Sequence, residues 1–261
     1  MNKIKFSNFI NKILVMLVVI FIFSEQTIAF ARAGGGSSSS SHSSSSSSHG
    51  SSSHRNVYLT SDEKVIAIAL GIVAIIVIIL GKAIIRKVRL AIKEHKSIAT
   101  INNLSKYDDN WDFNDIKKDI ETAFYMIQIA WREKNQDLAK ECMSDYLYDK
   151  HKSQTDAMNL RKEKNILKNM VLLDAAPIGM QDMAGINSDY IWVHIKAKSK
   201  DYTINEETDE VIKGSASRNV YFEEYWKFIK KEKRWVVDSI KQVNEMTDLD
   251  FFRIEAPNRY D

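Results

Sequence analysis

The longest apolar run in the chain covers residues 65–85, where the only charged side chain is Lys82. A helix over this run rises about 1.5 Å per residue and extends over roughly 30 Å, the thickness of a bilayer's hydrocarbon core. Lys82 lies near the end of the run, where its long side chain can reach the membrane surface. Buried core helices rarely run this long without a polar face, so the pattern predicts a transmembrane helix.

Residues 1–33 have the pattern of a secretory signal peptide. Three lysines precede a short apolar run at 13–23, and an Ala-Arg-Ala motif ends at Ala33. Cleavage after Ala33, or after Ala31, would remove the signal from the mature protein. The alternative is an uncleaved anchor, for which the apolar run is short.

Residues 34–64 begin with a stretch of Gly, Ser and His that has no apolar side chain to bury. Such a segment cannot offset the entropy of ordering, so we predict a disordered extracytoplasmic tail. His42, His49 and His54 are isolated within it and have no fixed geometry, so no metal site is predicted.

Two signals agree on the orientation of the predicted span. A signal peptide sends the following chain across the membrane, and residues 65–85 then stop the transfer. Basic side chains are concentrated in the juxtamembrane segment 86–110, predicted to be a helix and linker, which assigns that flank to the cytoplasm. We therefore predict a single-pass protein whose C-terminal domain is cytoplasmic. Five basic residues are candidate lipid-headgroup contacts as well as simple positive-inside anchors: Arg86, Lys87, Arg89, Lys93 and Lys96.

Helical spacing of apolar residues continues beyond the linker. It predicts helices at 111–134, 137–142 and 145–164, and Asp112 or Asn114 can cap the first of them. The third helix is mostly polar. Its expected buried positions are Tyr146, Leu147, Met158 and Leu160.

After residue 165 the pattern changes to the alternation typical of strands. Strands are predicted at 166–173, 190–199, 218–229 and 234–243. His194 lies on the polar face of the second strand, and 202–214 is predicted to be a loop. Helices followed by an antiparallel meander indicate an α+β fold for a domain at 111–245. The tail, 246–261, is predicted to form one helical turn and then to fray.

Composition excludes several classes of function. The net charge of +3 is too small to predict bulk affinity for nucleic acid. The single cysteine, Cys142, cannot form an intramolecular disulfide, which fits a reducing compartment. The chain contains no phosphate-binding, nucleophile-elbow, zinc-protease or paired-cysteine motif. We therefore predict no catalytic residues, no cofactor and no metal.

One carboxylate is placed among apolar side chains. In the strand at 218–229, Glu224 falls on the same face as Phe222, Trp226 and Phe228. It is then either a buried structural group, a ligand-binding group or a catalytic acid, and buried charges need partners in each case. The candidate partners by strand parity are His194, Lys196 and Arg234. The candidate pocket or partner-binding residues are Glu224, Trp226, Phe228 and Trp192.

Several short motifs in fixed order resemble one protein family. They are AFYMIQIAW at 123–131, an Asp-Tyr pair at 201–202 before VIKG at 211–214, EEYWKF at 223–228 and RWVVDSI at 234–240. Together they resemble the C-terminal domain of the mitochondrial inner-membrane translocase subunit Tim44 and its bacterial relatives. The signal peptide, the Ser-rich tail and the single span also resemble bacterial members.

The resemblance implies a cone-shaped α+β fold like that of nuclear transport factor two, with a curved antiparallel sheet packed on N-terminal helices around an apolar cavity. It also implies a membrane-associated docking role. Glu224, Trp226 and Phe228 match the family's E-x-W-x-F strand motif, whereas Lys230 stands where an arginine is usual. The long chaperone-contacting region of the mitochondrial protein has no counterpart here, so chaperone recruitment is not implied.

Our leading hypothesis is a non-enzymatic docking module at the bacterial inner membrane, linked to protein translocation or membrane-associated assembly. Its expected partners are membrane lipids and an unidentified protein or peptide, with no nucleic acid. Two alternatives remain open at this point: a small-molecule enzyme that uses an acidic group in the cavity, and a structural subunit of an envelope complex.

Overall fold

The computed structural model describes Ala33, residues 61–183 and residues 189–256. Of these, residues 61–87 lie in one compact unit, and Ala33 with the residues from 88 onward lies in a second. The predicted signal peptide, apart from Ala33, and the Gly/Ser/His-rich stretch lie outside the described residues.

Helix α1, Ser61–Leu104, contains the predicted span and continues well beyond it. It is the one described helix that is long and apolar enough to cross a membrane. Its later part belongs to the second unit, where Leu90, Ile101 and Leu104 are buried. The helix therefore extends through most of the segment that the sequence assigned to a juxtamembrane helix and linker.

Helix α2, Phe113–Arg132, confirms the predicted amphipathic helix. The Asp112 side chain accepts hydrogen bonds from the backbone N–H groups of Asn114 and Asp115, so Asp112 is the N-cap. The apolar residues at helical spacing are buried as predicted: Ile116, Ile120, Phe124, Ile127 and Trp131.

Helix α3, Asp145–Leu160, follows a 3-10 helix at Gln136–Cys142. Leu147 and Met158 are buried as predicted, but Tyr146 and Leu160 are 69% and 86% exposed, so these two predictions are wrong. The buried stripe instead continues through His151 and Thr155, one turn apart on the face that carries Leu147.

Among the residues that the structure describes, six strands form one mixed sheet. They are β1 Glu163–Gln181, β2 Tyr190–Asn205, β3 Val211–Gly214, β4 Val220–Lys231, β5 Arg234–Gln242 and β6 Ile254–Glu255. The order is β5-β4-β2-β1-β6, with β3 paired to β2, and all pairs are antiparallel except β1 with β6. Three register shifts bend β1 where it pairs with β2. The α+β prediction is confirmed.

Two segments differ from the prediction. Residues 202–214 were expected to be a loop, but β2 runs to Asn205 and the chain returns as β3. Gly214 has φ +77° and lies so close to the Asp201 backbone that a Cβ would clash, which explains the glycine. The tail was expected to fray after one helical turn. The turn is present at Leu249–Phe251, but the following residues form β6 beside Met180 and Gln181.

The sheet is buried on both faces at its centre. One face packs on the helices and includes Val193, Ile195 and Trp226. The other face carries Trp192 and Tyr225 and is covered by Phe252 and Leu90. Gly179 lies where the C-terminal segment crosses β1, and a Cβ there would be 3.0 Å from the Phe252 Cβ.

Candidate functional site

Glu224 is fully buried on the face of β4 that packs on the helices. Its Oε2 accepts a hydrogen bond of 2.9 Å from Trp226 Nε1, and its Oε1 accepts one of 2.8 Å from Gln242 Nε2. Gln242 is the residue opposite Glu224 in β5. Both carboxylate oxygens are thus satisfied by neutral donors within the sheet.

The partners predicted for Glu224 are wrong, because the register puts two of them on the other face. His194 and Lys196 are opposite Tyr225 and Glu223, whereas Glu224 is opposite Ile195. His194 Nε2 lies 2.9 Å from Glu223 Oε2. Lys196 donates to Asp174 and Arg234 lies 3.7 Å from Asp119. His194 was placed on the polar face, but the C-terminal segment covers that face and buries it.

The structure does not bring the four candidate pocket residues into one site. Trp226 and Phe228 fill the core, with ring centroids 6.3 Å apart and the Phe124 ring 5.6 Å from Trp226. Trp192 lies on the opposite face of the sheet, where its ring contacts Phe252 at 5.4 Å. Glu224 therefore acts in this geometry as a structural group that orients Trp226 and Gln242.

Lys230 is also buried. Its Nζ lies 5.3 Å from the centroid of the Trp235 ring and 3.4 Å from the Lys233 backbone oxygen. Burial lowers the pKa of Lys230, and the nearby Asp119 opposes that shift. These contacts suit the single ammonium group of a lysine, and they do not include the two parallel acceptors that a bidentate arginine contact requires.

Two of the predicted headgroup residues, Arg89 and Lys93, contact the C-terminal segment and hold it against α1. Arg89 donates to Asp250 Oδ1 at 2.6 Å, and Lys93 Nζ donates to the Phe252 backbone oxygen at 2.6 Å. Burial lowers the pKa of Lys93, and the carboxylate of Asp250 opposes that shift. These contacts hold the last part of the chain against α1.

An open cleft of about 780 Å³ lies beside these contacts. Its lining includes His95, Lys96 and Thr100 from α1 together with Arg253 and Ile254 from the C-terminal segment. Lys96 and His95 are exposed, and Arg253 makes a 3.5 Å ion pair with Glu255 at the surface. The remaining predicted residues, Arg86 and Lys87, lie in the first unit, where Lys87 is exposed.

Lys96 was predicted as a contact residue from the sequence, whereas His95 and Arg253 were not. Residues 89, 93, 96 and 100 share one face of a helix, and that spacing was available as a signal. The tail residues have no such signal, because they reach the cleft only through the β6 pairing with β1.

A second groove of about 490 Å³ lies between α1, α2 and the bent part of β1. It is lined by Glu94, Glu121 and Lys117 together with Leu172 and Pro177. The Leu172 backbone N–H donates to the Tyr125 hydroxyl at 3.3 Å, which ties the strand to α2. No sequence motif marked this groove.

No cluster of three metal-binding side chains occurs among residues 61–183 and 189–256. The predicted absence of metal and cofactor stays a prediction. Cys142 is buried and burial raises the pKa of its thiol, so it is a poor nucleophile in this fold.

Comparison with known proteins gives one family match. Residues 97–242 match the family model described as Tim44-like domain. No curated protein matches the chain. Among solved structures, the intermembrane space region of the chloroplast protein ARC6 matches with a TM-score of 0.31 and 8% identity, over 47% of this chain and 94% of that chain.

Proposed function

Because the chain belongs to the Tim44-like domain family, we propose that it is a membrane-tethered docking module that holds a protein or peptide partner at the inner face of a bacterial cell membrane. The family relates to membrane-associated protein translocation or assembly and is a binding family. The chain's role is accordingly to position a partner and not to transform a substrate.

The observation that carries this proposal is the continuity of α1. The apolar run and the basic cleft are on one helix, and Arg89 follows the end of the run by about one helical turn. Only four positions separate residue 85 from Arg89, so in a chain anchored through residues 65–85 the sequence that joins the anchor to the cleft is short. Anionic headgroups and an acidic partner segment would both be attracted to Lys96, His95 and Arg253.

The orientation with the domain in the cytoplasm is supported by the basic residues that follow the run. A reporter fused after Asp261 tests it. We expect a reporter that works only in the cytoplasm to be active, and cells to show protease protection of the domain until they are opened. Activity only of a reporter that requires export would overturn both the orientation and the docking proposal.

A photoreactive amino acid at Thr100 tests partner binding at the cleft. In native membranes we expect crosslinks from position 100 to a lipid or a protein. Position 118 provides the control, because Lys118 is exposed on α2 and lines neither groove. Equal yields from the two positions would contradict docking at the cleft, and a discrete large complex on native gels would instead favour a structural subunit.

Charge reversal separates a lipid partner from a protein partner. The full chain is placed in nanodiscs of phosphatidylcholine alone or with phosphatidylglycerol, and amide exchange is measured at 89–100 and 249–256. If headgroups bind, phosphatidylglycerol slows exchange in the wild type but not in Lys96→Glu or Arg253→Glu, while Lys118→Glu behaves as wild type. No response in the wild type would remove lipids from the proposal.

A further inference from the structure

The C-terminal segment, residues 249–256, follows α1 beside the cleft. Arg89 donates to Asp250, and Lys93, one helical turn later, donates to the backbone oxygen of Phe252. Four residues of an α-helix advance about 6 Å along its axis, and two residues of an extended strand advance about 6.6 Å. One turn of α1 therefore matches two residues of an extended chain that lies along it.

The side chains that line the cleft are mostly basic where they are charged. They include the cations Arg89, Lys93, Lys96 and Arg253, and the carboxylate of Asp250. That carboxylate shows which group the cleft binds, because Asp250 Oδ1 lies 2.6 Å from an Arg89 nitrogen. Lys96 and Arg253 are exposed, so both are accessible to a further carboxylate from another chain.

One side of the cleft is formed by an edge strand. β6 pairs with β1, and no other described strand lies beside it. The backbone oxygens of Arg253 and Glu255 accept hydrogen bonds from the N–H groups of Met180 and Asp182, so both point toward β1. Backbone groups alternate in direction along a strand, so those of Ile254, which lines the cleft, point away from β1. They supply the donor and the acceptor that a further strand requires.

We propose that the cleft binds an extended acidic segment of a partner protein, which adds a strand beside β6 and directs its carboxylates at the basic side chains of the cleft. The backbone of the segment pairs with Ile254. Carboxylates at every second position face α1, where Lys93 and Lys96 lie on consecutive turns. This inference rests on the proposed docking function and names the chemistry of the partner.

The free side of β6 favours a peptide over a lipid headgroup. A headgroup can neutralise the cations, but it has no backbone to pair with Ile254. Strand addition uses both features, because main-chain hydrogen bonds give the affinity and alternate side chains give the specificity. The preferred sequence is therefore one in which Glu or Asp alternates with β-branched residues, which favour the extended conformation.

Peptide binding to the full-length chain in an uncharged detergent tests this proposal. The probe is a fluorescent peptide, Thr-Glu-Val-Glu-Val-Glu-Thr, and Thr-Lys-Val-Lys-Val-Lys-Thr is its control. Fluorescence anisotropy should show binding of the acidic peptide alone. Lys96→Glu and Arg253→Glu, both at exposed positions, should each weaken binding at least about tenfold, because an attraction becomes a repulsion. Lys118→Glu, at an exposed position on α2, should bind the peptide as wild type does.

Backbone methylation separates strand addition from charge attraction alone. Two further acidic peptides carry N-methyl groups either on the Glu residues or on the Val residues, so that their charge is unchanged and the methyl groups line opposite edges of the strand. Only the peptide whose methyl groups face β6 should bind at least about tenfold more weakly. The unmodified peptide should also slow amide exchange of Ile254 at least about tenfold. Equal affinity of the two methylated peptides would overturn strand addition.

The failure of this inference is distinguishable from the failure of the docking proposal. If no peptide binds but phosphatidylglycerol still slows exchange at 249–256 in nanodiscs, the cleft is a headgroup site, and the inference is refuted while membrane docking stands. If the acidic peptide binds the purified chain but position 100 gives no more crosslinks than position 118 in native membranes, docking is refuted while the peptide chemistry of the cleft stands.

Discussion

The two ends of the helix-packed face both bury polar groups, but they treat them differently. Around Glu224, each carboxylate oxygen has a donor, one from Trp226 and one from Gln242. In the second half of β2, which we call the polar end of the sheet, Ser199 Oγ and Thr203 Oγ1 are buried and have no hydrogen-bond partner among the described residues. A paired polar group contributes to the stability of the fold, whereas a buried group without a hydrogen bond lowers that stability. The change in the free energy of unfolding caused by a substitution should therefore differ in sign between the two ends.

The largest loss of stability is expected when a large side chain is removed from the apolar core around Trp226. Phe228 is fully buried beside Trp226, so Phe228→Ala leaves a cavity and should lower the free energy of unfolding by about 3–5 kcal/mol. Chemical denaturation of the purified chain in detergent, followed by tryptophan fluorescence, measures this. Phe251→Ala, at an exposed position in the C-terminal turn, is the control and should cost far less.

The next effect depends on pH and comes from His151, which is buried on α3 beside Trp131. Burial, assisted by Lys150, lowers the pKa of His151 from 6.5 to about 4. Because the unfolded chain takes up the proton first as pH falls, stability is lost between about pH 6.5 and 4, by about 3 kcal/mol in total. His151→Gln should remove this part of the pH dependence, whereas His95→Gln, at an exposed position, should retain it. Identical pH profiles for all three proteins would contradict the assignment.

A smaller loss is expected at the satisfied carboxylate. Glu224→Gln replaces one acceptor by an NH₂ group that faces a donor, so it should lower the free energy of unfolding by about 1–3 kcal/mol. The double variant Glu224→Gln with Gln242→Glu restores one acceptor and one donor across the strand pair and should recover part of the loss. Equal stability of Glu224→Gln and wild type would show that Trp226 and Gln242 do not depend on the carboxylate.

The smallest change should have the opposite sign. Ser199→Ala removes a buried hydroxyl that has no hydrogen-bond partner among the described residues, so it should leave the free energy of unfolding unchanged or raise it by up to about 1 kcal/mol. Thermal melts in detergent provide the measurement. A loss as large as that of Glu224→Gln would erase the distinction between the two ends.

Sequence periodicity was sufficient for the elements whose burial is decided locally. The apolar spacing of α2 and its Asp112 cap, the alternation of β2 and the apolar parity of β4 were all predicted correctly, because in each element the residues that face the helix-packed core recur at the period of its secondary structure. Tyr146 and Leu160 were misjudged, since hydrophobicity alone does not say which stripe of α3 faces the core. The stripe through His151 and Thr155 is polar, and its burial depends on what lies opposite.

The candidate sites depended on contacts between distant parts of the chain, which periodicity does not encode. His194 has the polar-face parity that was predicted, but Phe252, nearly sixty positions later, covers it. The basic residues after the span were found as a cluster, yet the pairing of Arg89 with Asp250 was not. The partners of Glu224 required the β2–β4 and β4–β5 registers, which a one-residue slip would invert.

The contacts between the C-terminal segment and α1 can form only at a late stage of synthesis. Arg89 and Asp250 are 161 positions apart, so the ribosome completes α1 and most of the sheet before Asp250 exists. Until Phe252 emerges, Trp192 and Tyr225 lack the part of their cover that Phe252 provides. A chain that stops after Val243 would keep α1 but would expose more of these aromatic side chains.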